Sequence, residues 1–171
     1  MPKVDSMDKM FLTELKDLYS VEKQIIRALP KMAKAATSED LRTAFQTHLE
    51  ETRGQAQRLE RIFEILGQKA TAKTCEGMKG ILEEGSETME ETEEGELRDA
   101  AMIAGAQRVE HYEIAAYGTM RAMAQMMGQT EIAQLLQETL DEEGQTDKKL
   151  TAIAKTVNKL ALRQSKIGKA A

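Results

Sequence analysis

Apolar and polar positions alternate at helical spacing along most of the chain, in four long stretches separated by one short, weaker one. Phe11, Leu15, Leu18, Ile25, Ile26, Leu29 and Ala33 share one face of a helix expected from an N-cap at Asp5 or Ser6 to about Ala36. Pro30 breaks the hydrogen-bond ladder there, yet Met32, Ala33 and Ala36 keep the period, so a kink or weak turn is expected rather than an end. Ser38, followed by Glu39 and Asp40, caps a second helix whose face of Leu41, Phe45, Leu59, Ile62 and Leu66 stops at Gly67, a C′ residue. From Thr71 to Glu94 the rhythm weakens. Cys75, Met78, Ile81, Leu82 and Met89 keep enough of it to predict a shorter, partly exposed connecting helix. A third long helix is expected from about Glu96 to Gly128. A fourth follows from Thr130 through Ile132, Leu136, Leu140, Leu150, Ala154 and Val157, and a frayed basic tail is expected over 161–171.

Composition agrees with this reading. In 171 residues there are two prolines, no Trp and few Phe or Tyr, while helix formers recur throughout and hairpin signals are missing, so the fold class is all-α in one domain over 1–171. A formal net charge of −5 argues against a phosphate-binding surface, so no nucleic-acid partner is expected. No apolar run approaches the roughly 20 residues that span a bilayer, and the first residues lack the apolar core of a signal peptide, so no membrane partner and a cytoplasmic location are expected. A lone Cys75 cannot form an internal disulfide and reads as a partly buried structural thiol.

The informative positions are acids that fall inside the apolar stripes. Glu22 sits at the centre of the first, Glu110 and Glu113 lie within the third, and Glu143 and Asp147 line up in the fourth. On the second helix His48, Thr52 and Gln55 lie mid-face, with Glu51 toward one flank. A buried carboxylate must be protonated, ion-paired or bound to a metal, because an isolated buried charge costs several kcal/mol or more. A short internal repeat strengthens the pattern. Ser20-Val21-Glu22-Lys23 answers Arg108-Val109-Glu110-His111, and Thr47 to Gln55 answers Thr139 to Asp147, which would bring the inner acids to one level of a four-helix bundle. Such an oxygen-rich pocket suits two divalent first-row metal ions, with some acids protonated until a metal displaces the protons.

The stretches Tyr19-Ser20-Val21-Glu22-Lys23-Gln24, His48-Leu49-Glu50-Glu51-Thr52 and Val109-Glu110-His111-Tyr112-Glu113-Ile114 resemble the bacterial YciE/YciF family of the ferritin-like superfamily. The resemblance implies a ferritin-like up-down four-helix bundle with an extra crossover helix between the second and third long helices, a homodimer, a link to stress responses and a site for two iron ions, with manganese as the alternative. By analogy with related di-iron proteins, Glu51 and Glu143 would bridge the metals, Glu22 and Glu110 would be terminal ligands, and Glu113 would match an additional carboxylate of peroxide-reactive members. The usual Glu-x-x-His motif is absent from both places, where Gly54 and Thr146 stand. His48, Gln55 or Asp147 would then substitute. The implied activity is oxidation of Fe(II) by dioxygen or peroxide. The alternative is a non-catalytic stress-related interaction protein that keeps the bundle around a degenerate or merely structural metal site.

Simpler explanations stand beside these. Glu110 and Glu143 could be neutralised by Arg58, Arg108 or Arg121 or be hydrogen-bonded acids, and His48 and His111 could be hydrogen-bonded histidines of a half-buried helix rather than ligands. Tyr19, Tyr112 and Tyr117 read first as core, with a hydroxyl near the site as the second option. Met120, Met123, Met126 and Met127 read as a helix interface or dimer seam, and the acidic run from Glu83 to Glu96 as a solvated face.

Overall fold

A computed structural model describes residues 3–167, and among them five α-helices and no strand. They are α1 (Met7–Ala35), α2 (Glu39–Ile65), α3 (Glu76–Glu91), α4 (Glu96–Met126) and α5 (Thr130–Ile167). The expected caps form. Ser6 accepts from Lys9 N and Ser38 from Leu41 N, each satisfying an amide left over in a first turn. Helix α1 continues past Pro30 to Ala35. Gly67 and Gly128 take φ of +64° and +71°, and each lets the next two amides fold back: Gly67 N to Glu64 O and Gln68 N to Phe63 O at one end, Gly128 N to Gln125 O and Gln129 N to Ala124 O at the other. Helix α5 continues past Leu162 to Ile167, with Gln164 Nε2 reaching Glu94 O at 3.3 Å; the remainder of the expected tail, 168–171, lies outside the described residues.

Two apolar clusters fix the directions of the helices. In one, Phe11, Leu15 and Leu18 from the start of α1 meet Leu59, Ile62 and Phe63 from the end of α2, Tyr117, Met120 and Ala124 from the end of α4, and Ile132 and Leu136 from the start of α5. In the other, Ile25, Leu29 and Ala33 meet Leu41 and Phe45, Met102, Ile103 and Ala106, and Leu150 and Val157. Hence α1 and α5 run one way and α2 and α4 the other. Helix α1 packs on α2, α4 on α5, and the α2–α5 and α1–α4 contacts close the ring. Because α2 and α4 are parallel, the chain between them must travel back along the bundle, and α3, lying mainly on α4, makes that return.

The corner between α1 and α2 is held from outside the hairpin. Asp99, fully buried in the first turn of α4, accepts from Thr37 N at 2.9 Å and Ser38 N at 2.6 Å. Cys75 is likewise structural: its thiol caps α3 by accepting from Met78 N, and it lies 3.0 Å from the Tyr112 hydroxyl. Burial pushes the thiol pKa up, so it stays protonated.

Candidate metal centre

Between the two apolar clusters lies a polar layer. Glu22 of α1, His48 and Gln55 of α2, Glu110, Glu113 and Tyr117 of α4, and Glu143 of α5 are all buried there. Spacing explains their convergence: Glu110, Glu113 and Tyr117 are three and four residues apart on one face of α4, and His48, Thr52 and Gln55 follow the same rule on α2. One ligating atom from each of His48, Glu110, Glu113 and Glu143 lies within 4.8 Å of the others. His48 Nε2 stands 3.3 Å from Glu110 Oε1, and its Nδ1 stands 3.4 Å from Glu51 Oε2. The Tyr117 hydroxyl donates to Glu22 Oε1, and Gln55 Nε2 donates to Glu143 Oε1 and, at 3.1 Å, to Glu142 Oε2.

Electrostatics in this layer follow from burial and crowding. Burial first, then the charges of Glu143, Glu22 and Glu110, raises the Glu113 pKa well above the ordinary carboxyl value. Burial, then the hydrogen bond and charge of Glu110, does the same to Glu143. Glu22 is raised by burial to about 7, against the Tyr117 hydrogen bond and the His48 charge, which lower it. Burial alone would lower the His48 pKa, but the facing Glu110 and Glu51 carboxylates raise it to about 10. Glu51, only partly buried, is lowered by its bond to His48.

Burial and mutual repulsion therefore favour the protonated forms of Glu113 and Glu143, and the facing carboxylates favour that of His48. The Glu22 and Glu113 carboxyls face each other, as do those of Glu110 and Glu143. Among the described residues no donor serves Glu22 Oε2, Glu110 Oε2, either oxygen of Glu113, or Glu143 Oε2. Buried carboxylate oxygens in that state are costly unless a proton or a cation sits among them. A set of four inward carboxyls and one imidazole is hard and oxygen-rich, and so fits divalent first-row metals better than soft ones. The arginines proposed as rival partners are engaged elsewhere: Arg58 with Glu142 and Glu138, Arg108 with Glu84, and Arg121 with Gln137.

Of the sequence-derived candidates, the structure brings Glu22, His48, Glu110, Glu113 and Glu143 together. Glu51 stands at the rim, half-buried, between His48 and the Thr146 hydroxyl at 3.5 Å. Asp147 is not drawn in; its Oδ1 takes Gln107 Nε2 at 3.0 Å and lies 3.3 Å from Nε2 of the exposed His111. The departure from Glu-x-x-His has a geometric counterpart, since the imidazole enters one turn before Glu51 rather than one turn after it. Tyr117, read first as core, is both core and donor to Glu22, and its position seven residues after Glu110 was the available signal. The Arg58–Glu142 pair beside Gln55 was not foreseen; it steadies the amide that reaches Glu143.

Residues 6–162 match the family model described as "Domain of unknown function (DUF892)". Over 158 residues the chain is 48% identical to Protein YciF of Escherichia coli K12, covering 91% of this chain and 95% of that protein. The crystal structure of the E. coli stress protein YciF matches with a TM-score of 0.87 at 46% identity, over 91% of this chain and 99% of that one. YcfI from Rhodopseudomonas palustris matches with a TM-score of 0.85 at 42% identity, over 87% and 95%. At 16% identity, ferritin-like, diiron-carboxylate proteins from Bacillus anthracis match in fold, with a TM-score of 0.69 over 88% of this chain and 99% of that one.

Proposed function

This chain belongs to the DUF892 family, with YciF among its relatives, and on that premise we propose that it is a di-metal carboxylate protein that binds two iron ions and oxidises Fe(II) with dioxygen or peroxide. The observation that carries the reading is the convergence of His48, Glu110, Glu113 and Glu143 on one point, with buried carboxylate oxygens that lack donors. In this reading Glu22, His48, Glu110, Glu113 and Glu143 are ligands, Glu51 joins from the rim, and Asp147 stays with His111. Manganese would suit the same donors. Two bound ferrous ions would supply two electrons, which with two protons would reduce one dioxygen to hydrogen peroxide or one peroxide to two waters.

The protein's own part is to prepare and shield the place. Glu113, Glu143 and His48 give up protons as cations arrive, so binding is linked to pH. Tyr117 holds Glu22, and Gln55 holds Glu143, in fixed orientation. The two apolar clusters exclude water above and below. A cytoplasmic homodimer active under stress completes the proposal; exposed Met7, Met10 and Met126, at the same end of the bundle, are apolar surface that a second copy would cover.

Anaerobic titration with Fe(II), followed by dioxygen or peroxide, tests it. Two irons per chain and oxidation faster than in buffer are expected; binding without such oxidation would end the redox claim. A second reading, a non-catalytic stress-related interaction protein that keeps the bundle around a degenerate metal site, is favoured by Gly54 and Thr146 standing where histidines are usual. Glu110→Ala with unchanged stability, both with and without iron, would support it.

A further inference from the structure

Two neighbouring cavities lie between the surface and the acid layer. The outer, about 480 Å³, is a groove between α1 and α3. The inner, about 20 Å³, reaches His48 and Glu110. They share the walls of Ala28 and Met32 from α1, Leu82 from α3, and Ala106 and Val109 from α4, so these five side chains form the neck between them. The groove follows from how α3 lies. A Cβ at Gly105 would stand 3.8 Å from Gly85 Cα and one at Gly77 would stand 3.2 Å from Tyr112, so α3 sits tight against α4, and its contact with α1 is slight.

Size and chemistry of the inner chamber restrict what it accepts. Its volume is somewhat above the roughly 10–15 Å³ that one water needs, so it takes one very small molecule. The side chains of the five shared wall residues offer no oxygen or nitrogen atom, so an entering cation or peroxide would shed water with nothing to replace it. An apolar molecule loses nothing there. We propose that this neck and chamber are the entry route and holding site for an uncharged apolar molecule of dioxygen's size, and that dioxygen rather than peroxide is the oxidant that uses it. The inference rests on the redox reading above and names its oxidant. Hydrated cations have a polar edge of their own at Glu51, which is part exposed and touches His48.

Metal-free crystals pressurised with xenon provide a test independent of turnover: a xenon atom is expected in the chamber next to Phe45 and Leu29. Ala28→Leu narrows the neck. It should remove the xenon and slow oxidation of bound Fe(II) by dioxygen at least tenfold, while Co(II) binding and the rate with peroxide stay at wild-type values. Ala106→Val repeats the test from the opposite wall, with a smaller volume change. No xenon in the wild-type chamber, or wild-type dioxygen rates in both variants, overturns the proposal. Xenon in the chamber of a protein whose iron neither oxidant oxidises would sustain the apolar binding site and refute the redox reading instead.

Discussion

His48 Nε2 of α2 lies 3.3 Å from Glu110 Oε1 of α4, so a basic and an acidic side chain from two parallel helices face each other where both are buried. Neither helix follows the other in the chain. Their meeting depends on the return through α3, which sets α2 and α4 in the same direction and at matching height.

The first prediction concerns pH. In metal-free protein His48 is raised from 6.5 to about 10 and Glu22 from 4.5 to about 7. A raised group stabilises the fold fully below its unfolded pKa, and that stabilisation is lost as pH rises through the folded value. The Glu22 contribution thus fades between about pH 4.5 and 7, and that of His48 between 6.5 and 10. Thermal melts in chelator should show Tm falling steadily from pH 5 to pH 9. A Tm that climbs over this range would contradict the protonated layer.

Metal should reverse that weakness. Cobalt(II) at about a hundred times its Kd contributes about 2.7 kcal/mol, roughly 5–10 °C in Tm for a chain of this size. Protons leave Glu113, Glu143 and His48 as it binds, so a weakly buffered solution at pH 7 should acidify in a stopped-flow or calorimetric record. Glu110→Ala should abolish both signals.

Two tyrosines that look alike in the sequence should behave differently. Tyr117→Phe removes the donor to fully buried Glu22 and should cost about 1–3 kcal/mol in urea unfolding. Tyr19→Phe loses a 2.6 Å bond to Glu60, an exposed carboxylate that water can serve instead, and should cost under about 1 kcal/mol. Equal losses would show that the Glu22 contact carries no special burden.

Asp99→Ala strips two amides of a buried charged acceptor and should destabilise by about 3 kcal/mol, with Asp99→Asn intermediate. Metal affinity should be unaffected, because the α1–α2 corner is at the far end of one apolar cluster. Chemical denaturation and a cobalt titration on the same variants check both halves.

Much of the site was legible because charge inside an apolar stripe is expensive. Glu22, Glu110, Glu113 and Glu143 break an otherwise regular face, and a folded chain keeps such a break only where something answers it. Side chains near the edge of a stripe were not legible, since a rotation of a few tens of degrees decides whether they turn in or out. Asp147 is spaced like a core residue, yet α4 offers it Gln107 and His111 on the flank. Glu51 turns to Thr146, whereas Glu143, its partner in the repeat, turns inward to Gln55, so the two halves match at Glu22 and Glu110 and diverge there. Arg58 takes Glu142 and leaves Glu143 to the cluster. Asp99 has the sequence of an ordinary first-turn acid, and its bonds to another hairpin leave no periodic trace.

The layer of acids between two oily halves also sets a trade-off. A bundle of this length could be made hardier by filling its waist with leucine and methionine, since apolar substitutes for buried ionic groups often match or exceed them in stability. Such a redesign should outlast the natural chain on heating and be indifferent to chelators. The tenderness at mid-height is therefore a measure of what this sequence gives up in durability to keep its polar layer.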